Sequence, residues 1–295
     1  MVENKKGFQI AVHCIMIFLV LICTVPFLLM VISSFTEEKT LIRNGYSFFP
    51  QKVDFTAYRY LLLDSGMIVS GYLISAFVTV FGTAASLVLT MLLAYPLSRR
   101  ELPGRNIFAF LIFFTMLFQG GLVPSYMMWT GMFHIKNTIW ALIVPNLLVN
   151  AFYIIMVRTF LTTNIPDAIV EAGRIDGASE LVILVKLVLP MSKPIIATVA
   201  LLVALAYWNN WLNGMYYISE DRLNSIQVIL NKMLQNVQFI QSGMGGDDTN
   251  ELIRSIPSTG IRMAVAVMGT WPIMVVYPFF QKYFVQGITI GAVKG

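Results

Sequence analysis

Six long apolar stretches constrain this chain more than any other feature of its sequence. A membrane-spanning helix needs about 20 apolar residues, and within hydrocarbon only helices or closed barrels satisfy their backbone hydrogen bonds. Charged residues make up 12% of the chain, whereas a soluble domain carries about 25%. We therefore predict an all-α, polytopic membrane protein with six transmembrane helices. The stretches cover approximately residues 8–32, 68–97, 107–132, 138–160, 186–208 and 261–284.

The basic residues predict the orientation of these helices. Arg99, Arg100 and Arg105 crowd the short loop after the second stretch, whereas the short loop after the third contains only Lys136. Lys and Arg in short loops mark the cytoplasmic side. Both termini are therefore expected on the cytoplasmic side of the cytoplasmic membrane.

Several function classes are disfavoured by what the sequence lacks. The six stretches contain no Asp or Glu, although ion-coupled carriers commonly place ionisable groups inside the membrane. No catalytic set converges, and neither histidine has a metal-ligand neighbour at a usual spacing. The basic residues are scattered, which disfavours nucleic-acid binding. We expect a non-catalytic transport protein that binds no metal or cofactor. The chain has no Gly-Lys-Ser/Thr sequence of a nucleotide-binding P-loop, so the energy for transport must come from another polypeptide.

A short charged segment lies between the fourth and fifth stretches, within residues 161–185. Pro166 suits a helix start, and Asp167 and Glu171 favour the positive end of a helix dipole, so we predict a helix over 166–180. Interior glycines cost about 1 kcal/mol each, and Gly173 and Gly177 would share one face. A partner pressed against that face would explain them, with polar contacts from Glu171, Arg174 and Asp176. A solvated linker helix is the alternative.

The sequence EAGRIDGASELVILVKLVLP, which begins at Glu171, resembles the EAA loop of permease subunits in binding-protein-dependent ABC importers. Gly173 replaces the second Ala of that pattern, and Leu187 replaces its usual Ile. The run Asp176-Gly177-Ala178 and the later Pro194 resemble the sugar-importing branch, including permeases for fragments of plant or algal polysaccharides. The resemblance extends from the second stretch to the C-terminus. The positions in register are Glu171, Ala172, Gly177, Leu187, Leu189 and Pro190.

The resemblance implies a type I ABC importer permease fold, with residues 68–284 as the core and residues 1–67 as a preceding helix and outer loop. It implies that the loop is a coupling helix seated in a cleft of a cytoplasmic ATPase. The implied partners are a second, homologous permease in a heterodimer, two copies of the ATPase, which hold ATP and Mg, an extracytoplasmic sugar-binding protein and membrane lipid. The implied coupling residues are Glu171, Ala172, Gly173, Asp176, Gly177, Ala178, Leu189 and Pro190.

The last eleven residues form a small-residue tail after the sixth stretch, which we expect to end near Phe284. The tail resembles that of the smaller permease of maltose-type importers, which enters the interface between the two ATPases. The alternative is a frayed end. The positions implied to contact the ATPases are Gly287, Gly291, Lys294 and Gly295.

Polar and aromatic residues in or beside the stretches are candidates for a substrate path, because amides bind sugar hydroxyls and rings cover C–H faces. The alternative is that the asparagines bridge neighbouring helices. The expected cargo is an oligosaccharide, and a polyamine, amino acid or phosphate is the alternative. The candidates are Gln119, Asn146, Asn150, Tyr153, Trp208, Asn209 and Asn210.

Overall fold

The computed structural model describes residues 6–63, 65–241 and 258–292, and the regular structure in these ranges is helical apart from a single bridge between Thr36 and Val53. Two π-helical turns, Met128–Met132 and Leu184–Val188, and one 3-10 turn, Asp221–Leu223, interrupt the α-helices. The α-helices are α1 Lys6–Ser34, α2 Glu38–Asn44, α3 Thr56–Leu61, α4 Ser65–Ser98, α5 Arg105–Leu117, α6 Leu122–Met127, α7 Trp140–Ile143, α8 Ala151–Asn164, α9 Asp167–Ile175, α10 Glu180–Ile183, α11 Leu189–Met191, α12 Lys193–Trp208, α13 Leu212–Tyr217, α14 Ile226–Gln241 and α15 Ser258–Ala292.

The chain divides into two compact units. One comprises Met1–Gly66 with Leu230–Pro272, and the other comprises Met67–Ile229 with Ile273–Gly295. The second unit contains a buried apolar cluster to which α4, α7, α8, α9, α10, α12 and α13 contribute. The charged loop between the fourth and fifth stretches therefore packs on the core of the second unit.

Three continuous helices among the described residues are long and apolar enough to cross a membrane. They are Gly7–Ser34, Gly66–Ser98 and Ser258–Phe279, and they confirm the first, second and sixth predicted stretches as helices. The count rises to five if each of two bent helix pairs is one span. The number six stays a prediction.

The two bent pairs coincide with the third and fifth predicted stretches. The third bends by 113° between Leu117 and Leu122, where Gly121 adopts a positive φ of 80°. The fifth bends by 85° between Met191 and Lys193, where the flanking prolines remove backbone donors from the helix ladder.

The fourth predicted stretch, 138–160, is not a continuous helix, and that part of the prediction is wrong. Helix α7 ends at Ile143, and α8 begins only at Ala151. Between them Pro145 lacks an N–H and Asn146 adopts a positive φ of 62°. The side chain of Asn150 then caps α8 by accepting a bond from the N–H of Phe152 at 2.9 Å.

Side chains from α12 and α13 satisfy the backbone of this break. The buried hydroxyl of Tyr207 donates to the Ile143 carbonyl at 2.9 Å, and the buried amide of Asn213 donates to the Pro145 carbonyl at 3.0 Å. Gly82 of α4 makes room for Tyr207, because a Cβ there would lie 2.5 Å from the ring atom Cζ. Irregular backbone is tolerated among apolar helices only where such partners exist.

In the first unit, the start of α15 is held by a carboxylate. Glu38 of α2 accepts hydrogen bonds from the backbone N–H groups of Thr259 and Gly260, at 2.9 and 2.8 Å. These N–H groups have no partner within the helix, so the carboxylate caps the helix and favours the positive end of its dipole. Helix α15 continues to Ala292, beyond the predicted end of the sixth span near Phe284.

Candidate functional site

The site is built around α9, the short charged helix that the loop motif predicts. Asp167 lies in its first turn, as expected for the positive end of a helix dipole. The helix ends at Ile175 rather than at the predicted residue 180, because Gly177 adopts a left-handed φ of 78°. The N–H of Ala178 donates to the Gly173 carbonyl at 3.0 Å, and the N–H of Gly177 donates to the Arg174 carbonyl at 2.9 Å. This pair of bonds is a Schellman motif.

The two glycines consequently do not form one smooth face, which corrects the sequence prediction. Gly173 is buried against its own chain, where an added Cβ would lie 3.1 Å from Ile183 Cγ1 and 3.1 Å from Leu187 Cδ1. Gly177 is exposed, and an added Cβ would meet nothing within 4 Å. Gly173 therefore brings α9 close to the following helix, and Gly177 serves to end α9.

The opposite face of α9 is open. Ala168, Glu171, Ala172 and Ile175 share one side of the helix by their spacing, and all four are exposed. The side chain of Ile175 is 85% exposed. This face, which we call the open face, combines two small residues, a carboxylate and one apolar side chain.

The inner side of α9 is attached to the C-terminal end of α4 at its first turn. Arg99 Nη1 lies 3.3 Å from Asp167 Oδ1, and the guanidinium carbon of Arg99 lies 5.2 Å from the ring centroid of Tyr95. Arg99 is buried, with a side chain only 7% exposed. Val170 packs beside it in the apolar cluster.

A second attachment lies at the last turn of α9. Arg174 forms ion pairs with Glu101 and with Glu180, the latter at 2.7 Å between Nε and Oε1. The hydroxyl of Tyr95 donates to the other oxygen of Glu180 at 2.7 Å. The hydrogen bond from Arg174 to Glu180 raises the pKa of Arg174 above its ordinary value, and the hydrogen bond to Glu101 adds to this effect. Arg174 therefore bonds its own chain, although the sequence suggested that it contacts a partner.

Other predicted coupling residues lie away from the open face. Asp176 is exposed at the end of α9, and Ala178 is half-buried and packs against the apolar cluster. Leu189 also packs against that cluster, and Pro190 is exposed beside it. Both belong to α11, next to the bend before α12.

The predicted tail is only partly described. Gly287 and Gly291 lie in the helical backbone of α15, so this part of the tail continues the helix. Lys294 and Gly295 lie outside the described residues. Contact of these four positions with an ATPase stays a prediction.

The candidate path residues have mainly structural contacts. Asn209 donates to the Leu205 carbonyl at 2.9 Å, and Asn210 accepts from the N–H of Asn213 at 2.9 Å, while Asn150 caps α8 as described above. Gln119 and Asn146 are exposed, and each lies in a break between helices. Tyr153 is half-buried beside Phe152, and the ring of Trp208 faces that of Tyr72 at 6.3 Å. A role in substrate passage stays a prediction for all seven.

Sequence reasoning missed the attachment residues Tyr95, Arg99, Glu101 and Glu180. The basic residues after the second stretch were interpreted only as orientation signals. Each of the two short loops, residues 99–101 and 167–180, contains both basic and acidic residues. These charges are the signal from which ion pairs between the loops could have been predicted. The fold is needed to decide which charges meet.

Long apolar helices, together with a short charged helix packed on the core of the second unit, are typical of a membrane-embedded component. The chain belongs to the family described as "Binding-protein-dependent transport system inner membrane component", whose match covers residues 73–290. That range includes α4 from residue 73 onward, the whole of α9 and the whole loop motif.

Similar proteins share nearly the whole length of the chain. The polygalacturonan/rhamnogalacturonan transport system permease protein YtcP of Bacillus subtilis is 38% identical, over 99% of this chain and 100% of that protein. Protein LplC of the same species is 34% identical, over 99% and 98%. A chain from the crystal structure of a bacterial ABC transporter involved in the import of the acidic polysaccharide alginate superposes with a TM-score of 0.78. It is 29% identical, and the match covers 96% of this chain and 99% of that one.

Proposed function

We propose that this chain is the permease subunit through which an ATP-driven importer carries an oligosaccharide, delivered by an extracytoplasmic binding protein, across the membrane. The names of its relatives support a carbohydrate cargo, since YtcP is named for two polysaccharides and the structural neighbour for a third. A fragment of such a polymer is the cargo that we propose for this chain. No observation favours a polyamine, an amino acid or phosphate.

The observation that carries the proposal is the two-sided construction of α9. Its inner side is attached to α4 and α10 through Asp167 and Arg174, while its open face leaves Ile175 85% exposed. A partner that covers this side chain would remove its apolar surface from water, which is favourable. We propose that a cytoplasmic ABC ATPase covers this face and that its closure moves α9.

The remaining partners follow from the same scheme. A second, homologous permease would complete a heterodimer, and two copies of the ATPase would hold ATP and Mg, with none bound by this chain. The C-terminal residues up to Gly295 would contact the ATPases. Removal of the last ten residues is then expected to lower transport-coupled ATP hydrolysis while the complex still assembles.

A transport assay with a charge reversal on the open face tests this proposal. The chain is purified with the subunits that co-purify and reconstituted in vesicles with ATP and a binding protein. We expect ATP-dependent uptake of a labelled oligogalacturonide or neutral oligosaccharide. Glu171→Lys should abolish both uptake and ATPase co-purification, because it places a cation where the ATPase is proposed to meet an anion.

Glu220→Lys is the matched control, since Glu220 bonds only the neighbouring Arg222 in the described contacts and lies far along the chain from α9. The control should retain uptake. Uptake of a polyamine but no oligosaccharide would contradict the cargo. Normal uptake by Glu171→Lys would contradict docking at the open face.

A further inference from the structure

We propose that Arg99 is a positioning residue that fixes α9 to the end of α4, so that a displacement of α9 is transmitted directly to α4. This inference rests on the proposed function, because it concerns where the movement of α9 goes. Along the chain, α9 leads through α10 and α11 to α12. The side-chain contacts lead instead to α4, which is the second predicted span.

The burial of Arg99 shows that it is not an ordinary loop arginine. Its side chain is 7% exposed, whereas the neighbouring Arg100 is exposed. Among the residues that the structure describes, Nε and Nη2 of Arg99 are buried without a hydrogen-bond partner. Burying a guanidinium with so few bonds is costly, and a lysine or arginine needed only for orientation could lie in water at no such cost.

Among the described residues, the side chain of Arg99 contacts α4 and α9. Nη1 reaches Asp167 in the first turn of α9, at 3.3 Å, and the guanidinium lies over the ring of Tyr95 in α4, at 5.2 Å from its centroid. The hydroxyl of that same Tyr95 donates to Glu180, which in turn accepts from Arg174 at the last turn of α9. Both ends of α9 are thus connected to one residue of α4.

The backbone that connects α9 to α12 transmits movement less directly than the side-chain contacts with α4. It passes through the left-handed turn at Gly177 and then through a bend of 85° between Met191 and Lys193. Turns and bends of this kind absorb backbone changes in moving proteins. A push on α9 is therefore passed on more faithfully by its contacts with α4.

The cavity beside Arg99 does not suggest a ligand instead. It measures about 170 Å³, and its charged lining consists of two arginines and three carboxylates. An anion would meet a net negative lining, and the positive charge of Arg99 is already opposed by Asp167. The cavity is lined by Arg99, Arg100, Glu101, Asp167, Val170 and Glu171.

The test compares transport with ATP hydrolysis in the intact, co-purified complex. We expect Arg99→Gln to lower the number of sugar molecules taken up per ATP hydrolysed by about tenfold, the size of typical coupling effects, while the ATPase still co-purifies and hydrolyses ATP. Asp167→Asn should act in the same direction, and the double variant should be no worse than Arg99→Gln, because both remove one contact. Arg99→Lys should recover part of the ratio, and Arg100→Gln should leave it unchanged.

The outcomes separate this inference from the proposed function. An unchanged uptake ratio in both Arg99→Gln and Asp167→Asn, with the ATPase bound, overturns the inference alone. Failure of the unsubstituted chain to bind any ATPase overturns the proposed function. If Arg99→Gln fails to assemble, Asp167→Asn decides, since the Asp167 side chain is 60% exposed and Asn has nearly the same size but lacks the charge of the ion pair. Additive losses in the double variant also overturn the inference.

Discussion

Two irregular segments lie between apolar helices of the second unit, and they are held by opposite kinds of contact. The α9 segment is attached by ion pairs, two of them through Arg174, whose side chain is one-third exposed. The break between Ile143 and Ala151 is held by neutral hydrogen bonds from Tyr207 and Asn213, both at least 95% buried.

The difference shows which contacts water can replace. An exposed ion pair contributes about 0–1 kcal/mol, since water can replace either partner. Leaving a buried carbonyl without its partner costs about 1–3 kcal/mol. The exposed contacts of Arg174 can therefore loosen and re-form, whereas the buried Arg99 contact and the break behave as fixed parts of the bundle.

The strongest challenge to this comparison is removal of the Asn213 amide. Asn213→Leu leaves the Pro145 carbonyl without its side-chain donor, and we expect a loss of about 2 kcal/mol in stability, read as a lower melting temperature in detergent. Asn209→Leu is the matched control, since Asn209 is exposed and caps a carbonyl of its own helix. Equal melting temperatures for both variants would show that the break is not held as described.

A smaller effect is expected from the turn that ends α9. Gly177→Val places a β-branched residue at a φ of 78°, which costs about 1–2 kcal/mol, and it should weaken ATPase co-purification by displacing the open face. Gly177→Asn should be milder, because Asn tolerates the left-handed conformation. Both side chains would extend from a Cβ in open space, so equal losses from the two would point to a steric cause and contradict the backbone argument.

The smallest expected effect is that of salt. At about 1 M salt the screening length falls to about 3 Å, so the exposed contacts of Arg174 should weaken. Amide hydrogen exchange should then quicken over residues 167–176 and stay unchanged over residues 151–157. A uniform change across both segments would remove the distinction between them.

Hydropathy was enough to predict much of the fold. The spans α1 and α4 follow from apolar length. The break after Ile143 does not, because Asn146 and Asn150 lie in a stretch whose average hydropathy is that of a span. Only the partners Tyr207 and Asn213, more than 60 positions away, make the break stable.

The sequence predicted where the site lies along the chain but did not predict its geometry. Two glycines four residues apart fit either a smooth helical face or a helix that ends at the second glycine, and the sequence does not distinguish them. Arg174 and Glu101 are 73 positions apart, so their pairing depends on how α9 packs against α4. The exposure of Ile175 likewise depends on that packing, which buries the opposite side of α9 at Val170 and Gly173.

Cross-linking from the open face tests the central claim most directly. In a chain with Cys14 and Cys23 replaced by alanine, Ile175→Cys would carry a short bifunctional cross-linker in the assembled complex. The control would be Phe49→Cys, which lies in the other unit at a similar exposure of 88%. The account predicts that Ile175→Cys cross-links to a nucleotide-hydrolysing subunit and is shielded from aqueous maleimide, whereas Phe49→Cys is neither. Free labelling of Ile175→Cys in the assembled complex, with no cross-link to an ATPase, would contradict it.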